Sequence, residues 1–114
     1  MSWQSIQAFT VSNVEKIPKG KAGVYAIWGD KTAQPLYYGM SSGTPKSCIR
    51  ERLKDHVTGK GNIGIAEALR TGSEGRMAFS YIETRDYAFV EAALIRGGLP
   101  QFNIAQPRRP LKID

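Results

Sequence analysis

Three sets of residues in this chain of 114 have types and spacings that suit chemistry. Residues 87–95 are apolar or aromatic except for Glu91, whose helical neighbours three and four positions away are Tyr87, Ala88, Leu94 and Ile95. A carboxylate in such a surface is costly unless it is paired or holds a metal. Glu91 is therefore either half of a salt bridge to an arginine or a single metal-ligating carboxylate. The second role suits Mg²⁺, which keeps most of its waters and takes one or two carboxylates plus a substrate phosphate. Arg52 and His56 are four apart, so they stack on one helix face beside the apolar stripe Ile49, Leu53, Val57. A fixed cation next to the sole histidine favours its neutral form, which accepts a proton or orients a water. The plainer alternative is a solvated basic helix with an incidental histidine. Tyr25 and Tyr37 share a face if their two strands pair directly opposite each other there, as packing or as working phenols.

The elements that must hold these residues are readable from pattern. Residues 23–28 and 35–40 are rich in β-branched and aromatic residues with a polar loop between them, a hairpin signature. Thr44 followed by Pro45 predicts an N-cap and first helical position, with the helix ending near Gly59. A second helix fits 63–70, stopped at Gly72, and a third strand fits 76–83. Asp86 is placed to cap a last helix running to about Arg96, before Gly97, Gly98 and Pro100. The order β-β-α-α-β-α predicts an α+β domain: a small three-stranded antiparallel sheet flanked by about three helices.

Composition narrows the class. Sixteen Lys and Arg against ten Asp and Glu leave a net charge of +6 and a pI near 9.7, the electrostatic footprint of a nucleic-acid binder. The densest basic stretch holds Lys46, Arg50, Arg52, Lys54 and Lys60. Of these, Lys46, Arg50, Lys54 and Lys60 are expected to contact phosphates, giving affinity without sequence information. One cysteine, Cys48, permits no internal disulfide and no metal-ligand spacing. No apolar run approaches the ~18 residues that span a bilayer, and no signal-peptide pattern is visible at the start. The expectation is a cytoplasmic, reducing location with no membrane partner.

In order along the chain, Gly23-Val24-Tyr25, Tyr37-Tyr38-Gly39, the Arg52-Leu53-Lys54-Asp55-His56 segment, Glu91 and Phe102-Asn103 resemble the GIY-YIG nuclease family. The resemblance covers residues 23–104 as a catalytic domain, leaving 1–22 as an N-terminal extension packed on it and 105–114 as a basic tail. The spacing from Gly39 to Arg52 is longer than is common in the family. The Arg-Leu-x-x-His frame selects Arg52 over Arg50. Some members carry a second histidine at the start of the next helix, where Asn62 sits here.

The resemblance implies metal-assisted hydrolysis of DNA phosphodiesters, with Tyr25, Tyr37, Arg52, His56, Glu91 and Asn103 as catalytic residues. Glu91 would hold one Mg²⁺ or Mn²⁺ ion and Arg52 would neutralise phosphoryl charge. Tyr25, Tyr37 and His56 would share water positioning and proton transfer, the general base being any of the three. Asn103 would orient groups around the metal, or else tie down the C-terminal loop. With no reader module in view, specificity would come from DNA structure, a second copy of the chain or a partner protein. The competing expectations are a non-hydrolytic nucleic-acid-binding module and a catalytic subunit that is inactive without its partner.

Overall fold

Val24, Tyr25 and Ile27 build an inner strand of the sheet, and the rest of the molecule is arranged around its two faces. The computed structural model describes residues 2–31, 33–98 and 100–105. The elements are β1 (Gln7–Ala8), α1 (Val11–Val14), β2 (Gly23–Trp28), β3 (Tyr37–Ser41), α2 (Ile49–Val57), α3 (Ile63–Thr71), β4 (Ala78–Glu83), α4 (Tyr87–Gly97) and α5 (Gln101–Ala105). The sheet is antiparallel with strand order β1-β4-β2-β3. The basic stretch at 107–112 lies outside the described residues.

The chain is α+β, as its pattern predicts, but its described residues form four strands and five helices where three strands and about three helices are expected. The additional strand comes from the N-terminal segment: Gln7 and Ala8 pair with Phe79 and Ala78 along the free edge of β4. A two-residue strand carries no alternation of its own, so only the waiting edge reveals it. The segment also delivers Phe9, Val14 and Ile17 into the same core cluster as Tyr25, Ile27, Leu53 and Phe79. The short helix α1 follows its cap Thr10, whose hydroxyl oxygen accepts from the Asn13 N–H at 3.2 Å.

Side chains on a strand alternate between faces, so Tyr25 and Ile27 project to one side of β2 and Val24, Ala26 and Trp28 to the other. The first side is the core. Ile49 and Leu53 of α2 and Ile65 of α3 pack there against Tyr25, Ile27 and Phe79, all fully buried. The second side is covered by α4, which packs on β3 and β2 and sets Leu94 beside Ala26, Trp28 and Tyr38.

Two local expectations fail for identifiable reasons. Thr44 and Pro45 do not open α2. Residues 43–47 close on themselves instead, with Ser47 N–H donating to the Thr44 carbonyl and Gly43 N–H to the Ser47 carbonyl, both at 3.0 Å. The helix begins only after Cys48, which offers no side-chain cap. The apolar run in α4 buries none of its residues: Tyr87, Val90, Glu91, Leu94 and Ile95 are half-buried toward the sheet, while Phe89 is 73% exposed. Glu91 is thus not sealed in apolar surroundings, and its placement alone does not demand a metal.

The register also differs from direct opposition of the two tyrosines. Tyr25 faces Gly39, and Tyr37 faces Ile27, so the phenols are diagonal neighbours on one face. This explains the glycine. Its backbone is not left-handed, but a Cβ at 39 would overlap the Tyr25 ring. Gly39→Ala is expected to destabilise the fold by about 1–3 kcal/mol through overpacking, read as a lower midpoint in denaturant titration.

Candidate active site

Helix α2 is built on the stripe Ile49–Leu53, both fully buried, and this orientation carries Arg52 and His56 to the border between helix and sheet. His56 is 3% exposed. Its Nε2 lies 2.9 Å from the Tyr25 hydroxyl, and its Nδ1 accepts the backbone N–H of Asn62 at 3.2 Å. The three rings pack together: His56 is 5.1 Å from Tyr37 and 5.5 Å from Tyr25, centroid to centroid, with the two tyrosines 6.3 Å apart. Arg52, one helical turn before His56, sits within hydrogen-bonding reach of the Tyr25 phenol and acts electrostatically on Tyr37. The charge of Glu91 reaches Tyr25 as well. Four residues singled out from the sequence, Tyr25, Tyr37, Arg52 and His56, are therefore brought together, with Glu91 on α4 near enough for its charge to act on Tyr25.

The electrostatics sort these groups. Burial raises the Tyr25 pKa, the Tyr37 phenol adds to the rise, and the Arg52 cation and its hydrogen bond oppose it. Tyr25 is thus a neutral phenol near pH 7, held against a cation. The Arg52 pKa is raised chiefly by Tyr25, with burial opposing. Arg52 Nε is buried with no acceptor among the described residues, and a buried donor of this kind is costly until an acceptor arrives. A phosphoryl oxygen is such an acceptor. The His56 pKa is lowered from 6.5 to about 4, by burial first and by Arg52 second, so the imidazole is neutral.

The remaining candidates are placed differently. Asn103 accepts from the Tyr38 N–H at 2.9 Å and donates to the Tyr38 carbonyl at 3.0 Å. Its amide acts as a strand partner for the edge of β3. The expected role around a metal gives way to the alternative of tying down the C-terminal segment. Lys54 pairs with Glu15 at 3.2 Å, and two residues along a helix is about 200° of rotation, so it faces away from Arg52 and His56. The same rotation takes Arg50 off the Arg52 face, and its Nε is also buried without an acceptor among the described residues. Lys46 and Lys60 are exposed beyond the two ends of α2.

Among the described residues no group of three or more His, Cys, Asp or Glu could hold a metal. A lone carboxylate beside phenols and a guanidinium is a poor donor set for Zn²⁺, which takes nitrogen and sulfur ligands in fours or threes. It fits a hard, hydrated divalent ion completed by water and substrate oxygens. Two residues at the site are not evident from pattern. Asn62 caps α3, and its backbone N–H also meets His56. Gly61 gives no sequence signal for its contact with that ring.

Among the described residues no helix is long and apolar enough to cross a membrane. No family model matches the chain, and no curated protein or solved structure matches it either.

The depressed His56 pKa has a consequence for stability. Between pH 6.5 and about 4 the unfolded chain binds a proton at His56 that the folded chain does not. Stability is therefore whole above pH 6.5 and is lost as pH falls toward 4. The loss at this residue is about 3 kcal/mol. Denaturant titrations at pH 7 and pH 4.5 should show a smaller acid-induced drop for His56→Gln than for wild type.

Proposed function

We propose that this chain is a divalent-metal-dependent endonuclease that hydrolyses DNA phosphodiester bonds. The observation that supports it best is the convergence of Tyr25, Tyr37, Arg52 and His56, residues distant in sequence, around one buried phenol on which the charge of Glu91 also acts. A structural role needs a buried tyrosine to be hydrogen-bonded. It does not need a guanidinium and a neutral imidazole gathered around that phenol as well.

Each residue has work that its surroundings suit. Arg52, charged at any accessible pH and holding an Nε–H without an acceptor, binds the phosphoryl oxygens and stabilises the charge that grows on them, usually the largest contribution. His56 has its Nδ1 lone pair committed to the Asn62 N–H. It therefore donates through Nε2 to the Tyr25 oxygen and is not the resting base. Tyr25 then has its oxygen facing His56 and Arg52, with its own O–H turned away from His56. The proton lost by the attacking water would pass to Tyr37, which is half-buried and whose own proton must first leave to solvent. A Mg²⁺ or Mn²⁺ ion bound through Glu91 would supply Lewis-acid stabilisation of the leaving oxygen. The net charge of +6 favours a polyanion, with binding that weakens as salt rises.

The test is cleavage of supercoiled plasmid and of branched and flapped DNA with Mg²⁺, with Mn²⁺ and with EDTA. Wild type should cut only with metal. Glu91→Gln, which keeps shape and removes charge, should cut at least ~100-fold more slowly while binding DNA with the same salt dependence. Salt-sensitive binding without cutting under any metal would instead indicate a binding module or a partner-dependent subunit.

A further inference from the structure

We infer that the Gly61–Asn62 turn between α2 and α3 is a positioning device that locks His56 in a single tautomer, its proton on Nε2 and directed at Tyr25. A peptide N–H can only donate, and that of Asn62 points at His56 Nδ1 from 3.2 Å. Nδ1 must therefore present its lone pair. A neutral imidazole carries one proton, so that proton is on Nε2, 2.9 Å from the Tyr25 oxygen. The opposite tautomer would set N–H against N–H at Nδ1 in a buried position, and the imidazolium would do the same.

The turn is built to hold that N–H in place. The end of α2 closes through Gly59 N–H to the His56 carbonyl at 3.0 Å and Lys60 N–H to the Asp55 carbonyl at 2.8 Å. Asn62, 2% exposed, is fixed from both sides: its Oδ1 accepts the Ile65 N–H at 3.0 Å and its Nδ2 donates to the Phe102 carbonyl at 3.0 Å. The turn is thereby anchored to α3 and α5 at once. Gly61 supplies the room. Its φ is not positive, so its backbone conformation does not require glycine, yet a Cβ there would overlap the His56 ring at Nδ1, Cε1 and Cγ. Space for the imidazole is the reason for glycine at 61, as space for the Tyr25 ring is at 39.

The consequence is a fixed proton inventory around Tyr25. His56 donates to the Tyr25 oxygen and cannot take the phenol's proton, so the Tyr25 O–H is turned away from His56. Gly61 and Asn62 touch no reacting atom and act through His56. The catalytic meaning of the lock rests on the nuclease proposal; its structural content does not.

The experiment is a long-range ¹H–¹⁵N correlation spectrum of the uniformly labelled full chain at neutral pH, which reads both nitrogens of the sole histidine. The expected result is Nε2 in the protonated shift range and Nδ1 in the unprotonated range. A protonated Nδ1, or two nitrogens averaged by tautomer exchange, overturns the proposal, and this arm needs no variant to fold. Gly61→Ala should move the His56 nitrogens toward averaging and lower kcat about tenfold or more with KM little changed. Unaltered His56 shifts in that variant would remove Gly61 from the device. A locked tautomer in a wild-type chain that cuts no DNA upholds the lock and sinks the nuclease proposal alone.

Discussion

The buried hydrogen bond between Tyr25 and His56 joins the central strand to α2, and most of the molecule's local rules follow from making room for it. Tyr25 is fully buried and His56 nearly so, so neither polar end can be left without a partner except at a cost of about 1–3 kcal/mol. The strand opposite must offer no side chain at 39, the turn beyond the helix must offer none at 61, and that turn must aim an N–H at Nδ1. Two glycines and a cap residue, far apart in sequence, serve one pair of rings.

The same bond sets the electrostatic character of the site. A phenol in a dry interior is a weak acid, and burial holds Tyr25 in its neutral form. Arg52 pulls the other way while keeping the imidazole uncharged. The site therefore holds one permanent cation, one neutral imidazole and a phenol whose proton is loosened only when the balance of charge around it changes. On the proposed function, an arriving phosphodiester would bring negative charge that satisfies Arg52, and a divalent ion at Glu91 would bring positive charge. Groups whose states are pushed apart by their surroundings mark sites of chemistry more often than sites of packing.

Much of the site was legible because its signals are local. Arg52 and His56 show as a four-residue spacing beside an apolar stripe, Glu91 as a carboxylate in an apolar run, β4 as an alternation, β2 as a run of β-branched and aromatic residues, and α3 and α4 as apolar segments bounded by glycine and polar residues. What was not legible depends on partners remote in sequence. Strand β1 exists because β4 has a free edge, not because Gln7 and Ala8 favour a strand. The start of α2 yields to a closed turn at 43–47, which overrides the Thr-Pro signal. Asn103 reads equally as a group near a metal and as a tie for the C-terminal segment, and its amide is found against the Tyr38 backbone, which is a tie of that kind. The apolar surface around Glu91 is only half-buried, because the apolar residues of α4 lie on all sides and only one side meets the sheet.

The central claim is that the residues around Tyr25 form one metal-assisted hydrolytic site, and locating the ion tests it most directly. An anomalous difference map from crystals grown with Mn²⁺ should show a peak at coordination distance from the Glu91 carboxylate, on the side facing Tyr25 and Arg52. Crystals saturated with Mn²⁺ that show no ion at Glu91, from protein whose cleavage of DNA is absent or unaffected by EDTA, would contradict it.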